Sequence, residues 1–158
     1  MNIAAHRFSI FADYFQFIVM DENSEDDFST IWNDEALRRM LAVGSSAICP
    51  GTLRNVEVAV EIMLETERPD IGLAEFDHVA EATFVCPSGT LVVMSCTGYL
   101  PEAPRIHVEP GTYHALFVTS GVKSIKTEWE AANDLYTVYL WPGPLCEPSL
   151  IKHWKPAA

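Results

Sequence analysis

Basic residues are scarce. Ten Lys and Arg face twenty-two Asp and Glu, for a net charge of −12 at neutral pH. The shortage is also local: eight acids and no Lys or Arg lie between Phe8 and Leu37, and five acids and again no base lie between Pro69 and Pro104. Such a surface repels phosphate backbones and anionic bilayers, which argues against direct contact with nucleic acid or membrane. No apolar run reaches the roughly 18 residues that a membrane-crossing helix requires. Cysteine is sparse, and Cys49, Cys86, Cys96 and Cys146 include no C-x-x-C pair, so zinc-ribbon and thioredoxin motifs are missing. The eight glycines are scattered at turns and build no phosphate loop. No nucleophile elbow or other local catalytic signature occurs. The N-terminal stretch does not read as a signal peptide, because Asp13 interrupts its apolar run and no small-residue cleavage site follows. Free thiols in a reducing cytoplasm are the expectation.

What the chain does have is apolar and aromatic residues in alternating runs. At 158 residues it fits one domain spanning 1–158. Residues 7–20 read as a strand, or two strands broken near Asp13, largely buried on both faces. Residues 21–30 are a polar loop. Residues 33–43 read as the one helix, capped by Asn33 or Asp34, with an apolar stripe of Leu37, Met40 and Leu41 and a stop at Gly44. In 55–65, Glu57, Glu61 and Glu65 have helical spacing, but Val56, Val58, Val60, Ile62 and Leu64 alternate without a break, and the β-branched residues decide for a strand. Residues 76–86 and 90–97 read as strands joined at Pro87-Ser88-Gly89, a hairpin signal. Residues 105–109 and 112–119 are separated by Pro110-Gly111, whose type II preference suits a corner between sheets better than a tight hairpin. Residues 134–141 form a further strand, and 150–154 an edge piece. Helices do not alternate with the strands. The expected class is therefore mainly β, an antiparallel β-sandwich with one inserted α-helix at about residues 33–43.

Few residues stand out chemically. His107 and His114 would face each other only if Pro110-Gly111 made a tight hairpin, and no third ligand is evident from spacing, so neither a metal nor a cofactor is expected. Cys86 and Cys96 lie in apolar strands and read as core. Asp13 and Gln16 are polar groups inside an apolar run. They are expected to be fixed structurally, by backbone or by an arginine such as Arg54.

Several short motifs recur together: Tyr14, Gln16 and Phe17 in the first strand; Trp32 ahead of Asp34-Glu35-Ala36-Leu37; Ala47-Ile48; Arg54-Asn55 leading into the alternating strand; Gly111-x-Tyr113; and Leu140-Trp141-Pro142-Gly143. This set resembles the competence protein J family, the inhibitors of a bacterial DNA-entry nuclease. The resemblance implies a small binding protein that silences a nuclease, and it transfers no catalytic residue. An acidic domain suits a basic, DNA-gripping cleft. On that reading the partner is a basic protein, and the contacts are Asp21, Glu22, Glu25, Asp26, Asp27, Asp34 and Glu35. Trp32 is either an aromatic anchor beside them or a core residue closing the helix onto the sheet. Two other classes stay open: a ligand-binding or enzymatic sandwich with a pocket between its sheets, and a homo-oligomeric scaffold.

Overall fold

The computed structural model describes residues 1–155. In chain order the elements are β1 (Asn2–Phe11), β2 (Ile18–Asp21), α1 (Asp34–Arg39), β3 (Leu41–Val43), β4 (Ala47–Pro50), β5 (Glu57–Glu65) and β6 (His78–Cys86). There follow β7 (Thr90–Met94), β8 (Arg105–His107), β9 (Gly111–Ser120), β10 (Leu135–Pro142) and β11 (Ser149–Lys152). Six strands form one sheet in the order β1-β5-β10-β9-β6-β11, and five form a second in the order β3-β4-β2-β7-β8. Neighbours are antiparallel except β5 and β10, which run parallel. This is a β-sandwich with one short helix between β2 and β3.

Alternation builds the core. On β5 the side chains of Val58, Val60, Ile62 and Leu64 are buried, while Glu57 and Ala59 are exposed. Each fully buried aliphatic side chain contributes about 1.5–3 kcal/mol. The inward faces of both sheets meet around Phe17, Phe84, Phe117 and Tyr136, with Leu41, Ile48 and Leu91 from the smaller sheet. Phe117 stacks on Tyr136 and meets Phe17 edge-on, with centroids 6.5 Å apart in both pairs. Side chains fill the centre of the sandwich, and a pocket of 430 Å³ opens where Leu64, Tyr113 and Leu140 of the larger sheet face His107 and Val108 at the end of the smaller.

Three local expectations are corrected. First, of residues 7–20 only the stretch from Phe17 to Met20 is buried on both faces. β1 is an edge strand whose alternate residues are exposed, and the break near Asp13 is a 3₁₀ turn over Asp13–Phe15. Second, the helix ends at Arg39. Met40 adopts a left-handed φ of 56° and caps it, and Leu41–Val43 pairs with β4 instead of continuing the helix. Leu37, expected inward, is 64% exposed, and Ala36 is the buried residue. Third, Pro87-Ser88-Gly89 is not a hairpin. β6 lies in the larger sheet and β7 in the smaller. The Asp21 carboxylate accepts hydrogen bonds from the Ser88 amide and hydroxyl, and Gly89 takes a φ of 73°, so the chain crosses between sheets here. Pro110-Gly111 is likewise a corner, from β8 to β9, and it leaves His107 and His114 on different sheets.

Arg54 lies where the chain passes from the smaller sheet into β5, and Asp134 immediately precedes β10. The guanidinium grips the carboxylate with two bonds, Nε to Oδ2 at 3.0 Å and Nη2 to Oδ1 at 2.6 Å. The paired side chains are 6% and 0% exposed. Nη1 donates to the Glu130 carbonyl at 2.8 Å, and the Tyr136 hydroxyl donates to Asp134 Oδ2 at 2.8 Å. Burial raises the Tyr136 pKa, so the hydroxyl stays a donor. Removing one member of such a pair strands the other charge.

His78 opens β6 fully buried. Its Nε2–H donates to the Arg39 carbonyl, and its Nδ1 accepts from the Trp154 amide at 3.0 Å, which fixes a neutral tautomer. Burial lowers its pKa, the Arg39 carbonyl opposes this, and nearby His153 adds to the lowering. The unfolded chain therefore takes up the proton at higher pH than the folded one. The stability from neutral His78 is complete above the unfolded value of about 6.5 and declines as pH falls toward the lower folded value.

Two outcomes are expected. Asp134→Asn loses about 3–5 kcal/mol of unfolding free energy in urea titration, and a loss under about 1 kcal/mol would contradict the role given to the ion pair. Between about pH 6.5 and pH 5 the wild-type urea midpoint falls, and His78→Gln flattens that fall; equal slopes in both proteins would reject the assignment. Asp21 and Asp26, whose pKa values lie below the ordinary carboxylate value, act only at lower pH.

Candidate functional site

The chain leaves β1 through Ala12 and must turn sharply to enter β2 in the other sheet. It does so with Tyr14 and Phe15 both left-handed, at φ of 58° and 59°. Each such L-residue costs roughly 1–2 kcal/mol. The surrounding chain holds them there. The Tyr14 amide donates to Asn55 Oδ1 at 3.1 Å, the Phe15 carbonyl accepts from the Thr52 amide at 2.9 Å, and Gln16 forms a bridge with Gly51. The Asp13 carboxylate accepts from the Thr97 hydroxyl at 2.7 Å. The result is that two aromatic side chains point outward, 70% exposed at Tyr14 and 47% at Phe15.

Beside them lies α1. Asn33 caps it by accepting from the Ala36 amide at 2.8 Å. Its first turn carries Asp34 and Glu35, both exposed, which favour the positive end of a helix. Exposed Leu37 and the left-handed Met40 join Tyr14, Phe15 and Trp32 around a shallow depression of 340 Å³. Trp32 is half-buried against the cluster containing Ile18, Ala36 and Met94. Its indole N–H donates to Gln16 Oε1 at 2.7 Å, so it closes the helix onto the sheet and forms the floor of the depression.

The loop acids divide into two kinds. Asp21 is buried at the end of β2, and its oxygens are taken up by Ser88, Asn23 and Cys86. Burial alone would push its carboxyl pKa up, but these hydrogen bonds outweigh it and hold the pKa low. Asp26 is half-buried and ties the loop to the β3–β4 turn through the Ser46 amide at 2.8 Å and the Ser45 amide at 3.1 Å. Burial again opposes and the hydrogen bonds win. Asp27 is exposed and accepts from the Ser29 amide at 3.0 Å and hydroxyl at 2.7 Å, which lowers its pKa. Glu25 is exposed and Glu22 half-buried. Inward-facing Asp21 thus leaves the surface set, and Asp26 keeps little of itself on it. Arg54, offered by the sequence as a partner for Asp13 or Gln16, pairs instead with Asp134.

One convergence of ligand-type side chains escaped the sequence. Glu81, His114 and Cys146 bring a carboxylate oxygen, an imidazole nitrogen and a sulfur within 4.8 Å of one another. Only the β6–β9 register, which sets Thr83 opposite His114 and so places Glu81 on the same face, could have revealed it. Cys146 comes from a loop with no spacing signal.

The strain at position 14 reverses the ordinary ranking of substitutions. Tyr14→Gly is expected to be more stable than Tyr14→Ala by about 1 kcal/mol, because Gly alone is free of the left-handed penalty. Thermal or urea unfolding of the two variants checks this, and an Ala variant as stable as the Gly variant would refute the strain.

No protein-family model and no curated protein matches the sequence. Solved structures share the fold. The crystal structure of ComJ, inhibitor of the DNA degrading activity of NucA, from Bacillus subtilis, aligns over 90% of this chain and 98% of that one, with a TM-score of 0.66 and 17% identity. The product of crocagin biosynthetic gene J aligns over 90% of this chain and 100% of its own, with a TM-score of 0.60 and 18% identity. The chain is therefore similar to ComJ in fold along nearly its whole length.

Proposed function

We propose that this chain is a cytoplasmic binding protein that inhibits a nuclease by docking on the basic cleft with which the enzyme grips DNA. The observation that carries the proposal is the strained turn at Tyr14-Phe15, which holds two aromatic side chains in water beside Leu37. Backbone strain and exposed aromatics together are costly for a fold and useful for an interface. The exposed acids Glu25, Asp27, Asp34 and Glu35, with Glu22 at their edge, supply charge opposite to that of a DNA-binding cleft. Trp32 serves from below, as the floor on which the depression rests. The fold likeness to ComJ, described as an inhibitor of NucA, supports the same reading. The absence of a membrane-length apolar helix among the described residues and the four free cysteines accord with a cytoplasmic site.

The test uses the tagged full chain as bait in lysate of its source cell, followed by DNA-degradation assays of each captured nuclease. The expected result is a nuclease whose activity falls on addition of the chain, with binding that weakens as salt rises. The double variant Tyr14→Ala/Phe15→Ala is expected to bind at least 10-fold more weakly while keeping its fold by circular dichroism. Full inhibition by that variant would remove this surface from the mechanism. Failure of the wild-type chain to slow any captured nuclease would overturn the proposal itself.

A further inference from the structure

The outer face of the six-stranded sheet carries a second constellation, far in sequence from the aromatic turn. On β6, Glu81 and Thr83 project to one face, and the register pairs Thr83 with His114 of β9. His114 in turn pairs with Trp141 of β10. After β10 the chain folds back over this face and delivers Cys146. One side chain pins it there: the Cys146 amide donates to Thr83 Oγ1 at 3.1 Å, and the Thr83 hydroxyl donates to the Cys146 carbonyl at 3.1 Å. Cys146 is therefore exposed yet fixed in place.

The donor atoms converge on one point. His114 Nδ1 lies 3.1 Å from Glu81 Oε2 and 4.0 Å from Cys146 Sγ. Tetrahedral zinc bonds place such N, O and S atoms about 3.3–3.6 Å apart, and the three donors, all within 4.8 Å of one another, reach that spacing by side-chain rotation. The imidazole is held in orientation. It stacks on Trp141 with centroids 5.4 Å apart and an interplanar angle of 13°. The chain at Gly143 presses on its edge so closely that a Cβ there would sit 2.4 Å from His114 Cδ2. Arg68 bonds the other carboxylate oxygen, Glu81 Oε1, and lies 5.5 Å from the Trp141 ring centroid. It thus leaves Oε2 free to face the imidazole, as an outer-shell partner that orients a ligand.

The same geometry argues against a cysteine nucleophile. A relay needs the thiol and the carboxylate on opposite ring nitrogens, whereas both face Nδ1 here. A thiolate, a carboxylate and a neutral imidazole are the donors of a borderline-soft divalent ion, not of magnesium or calcium.

We infer that Glu81, His114 and Cys146 form an open three-ligand site for a zinc-class divalent cation, with its fourth position facing solvent. The site stands independently of the nuclease reading. Its test is titration of the reduced full-length protein with cobalt(II), followed by zinc competition against a chromophoric chelator. The expected result is one equivalent bound, with a thiolate-to-cobalt charge-transfer band that zinc abolishes. Cys146→Ser, at an exposed position, is expected to keep the wild-type melting temperature, lose the band and weaken binding by about 100-fold or more, beyond the loss typical of an outer-shell change. Glu81→Gln is expected to keep the band with weakened affinity. Absence of the band from the wild-type protein, or its survival in Cys146→Ser, would overturn the assignment.

Discussion

The buried pair of Arg54 and Asp134 is the interaction on which the rest depends. The two sit at the same end of the only parallel neighbours among the described strands, β5 and β10. Parallel neighbours cannot be joined by a tight turn, so nothing local sets their register. The bidentate grip sets it from outside, just before Glu57 begins one strand and Leu135 the other. The same arginine fixes the crossing segment that contains it. The Leu53 amide donates to the Tyr136 hydroxyl, the Thr52 hydroxyl donates to the Arg54 carbonyl, and the Asn55 amide donates to Glu128. That segment is also what holds the Tyr14-Phe15 turn in its left-handed geometry, through Gly51, Thr52 and Asn55. A line of dependence therefore runs from a buried charge pair, through an irregular crossing, to two strained residues and the aromatic side chains they expose. A strained conformation persists only where its surroundings over-determine it, and here the surroundings are themselves anchored.

This dependence also explains what the sequence disclosed. β5 was legible because one of its faces is wet, so the alternation of Val58, Val60, Ile62 and Leu64 with Glu57 and Glu61 survives in the residues themselves. The Pro110-Gly111 corner followed from turn stereochemistry. Pro87-Ser88-Gly89 carries equally local signals, yet the anchor that makes it a crossing is Asp21, 67 positions from Ser88. The helix was overextended because Leu37, Met40 and Leu41 have helical spacing, while the competing pairing of Leu41–Val43 with β4 is a tertiary effect. Arg54 was offered as a partner for Asp13 or Gln16, on the ground that buried polar groups need one. Its partner lies 80 positions away, and no local pattern could choose it from the other acids.

The candidate surfaces differ in how they were hidden. The acids of residues 21–35 were visible as composition, but composition does not say which way a carboxylate faces. The cluster of Glu81, His114 and Cys146 was invisible because it needs a strand register and a returning loop at once. A fold shared at low identity does not carry a partner with it. What speaks for a partner is the chemistry at each face: aromatic and anionic at one, soft-metal-like at the other.

The inward-facing acids still bear on association. Asp134 is neutralised by Arg54, Glu61 faces Arg7, and Glu81 faces Arg68. Asp21 and Asp26 are different, because their hydrogen-bond donors are serine hydroxyls, backbone amides and a thiol, all neutral. These bonds stabilise the ionised form without cancelling its charge. The two residues touch little or nothing outside the molecule, yet their charge persists and adds to the field around the loop. Steering and contact are thus separable here. On the proposed reading, fixed charges beneath the loop would extend the attraction of a basic partner outward, while the exposed Tyr14, Phe15 and Leu37 would set what happens at contact. Salt screens the first far more than the second, so salt would slow association more than it hastens release.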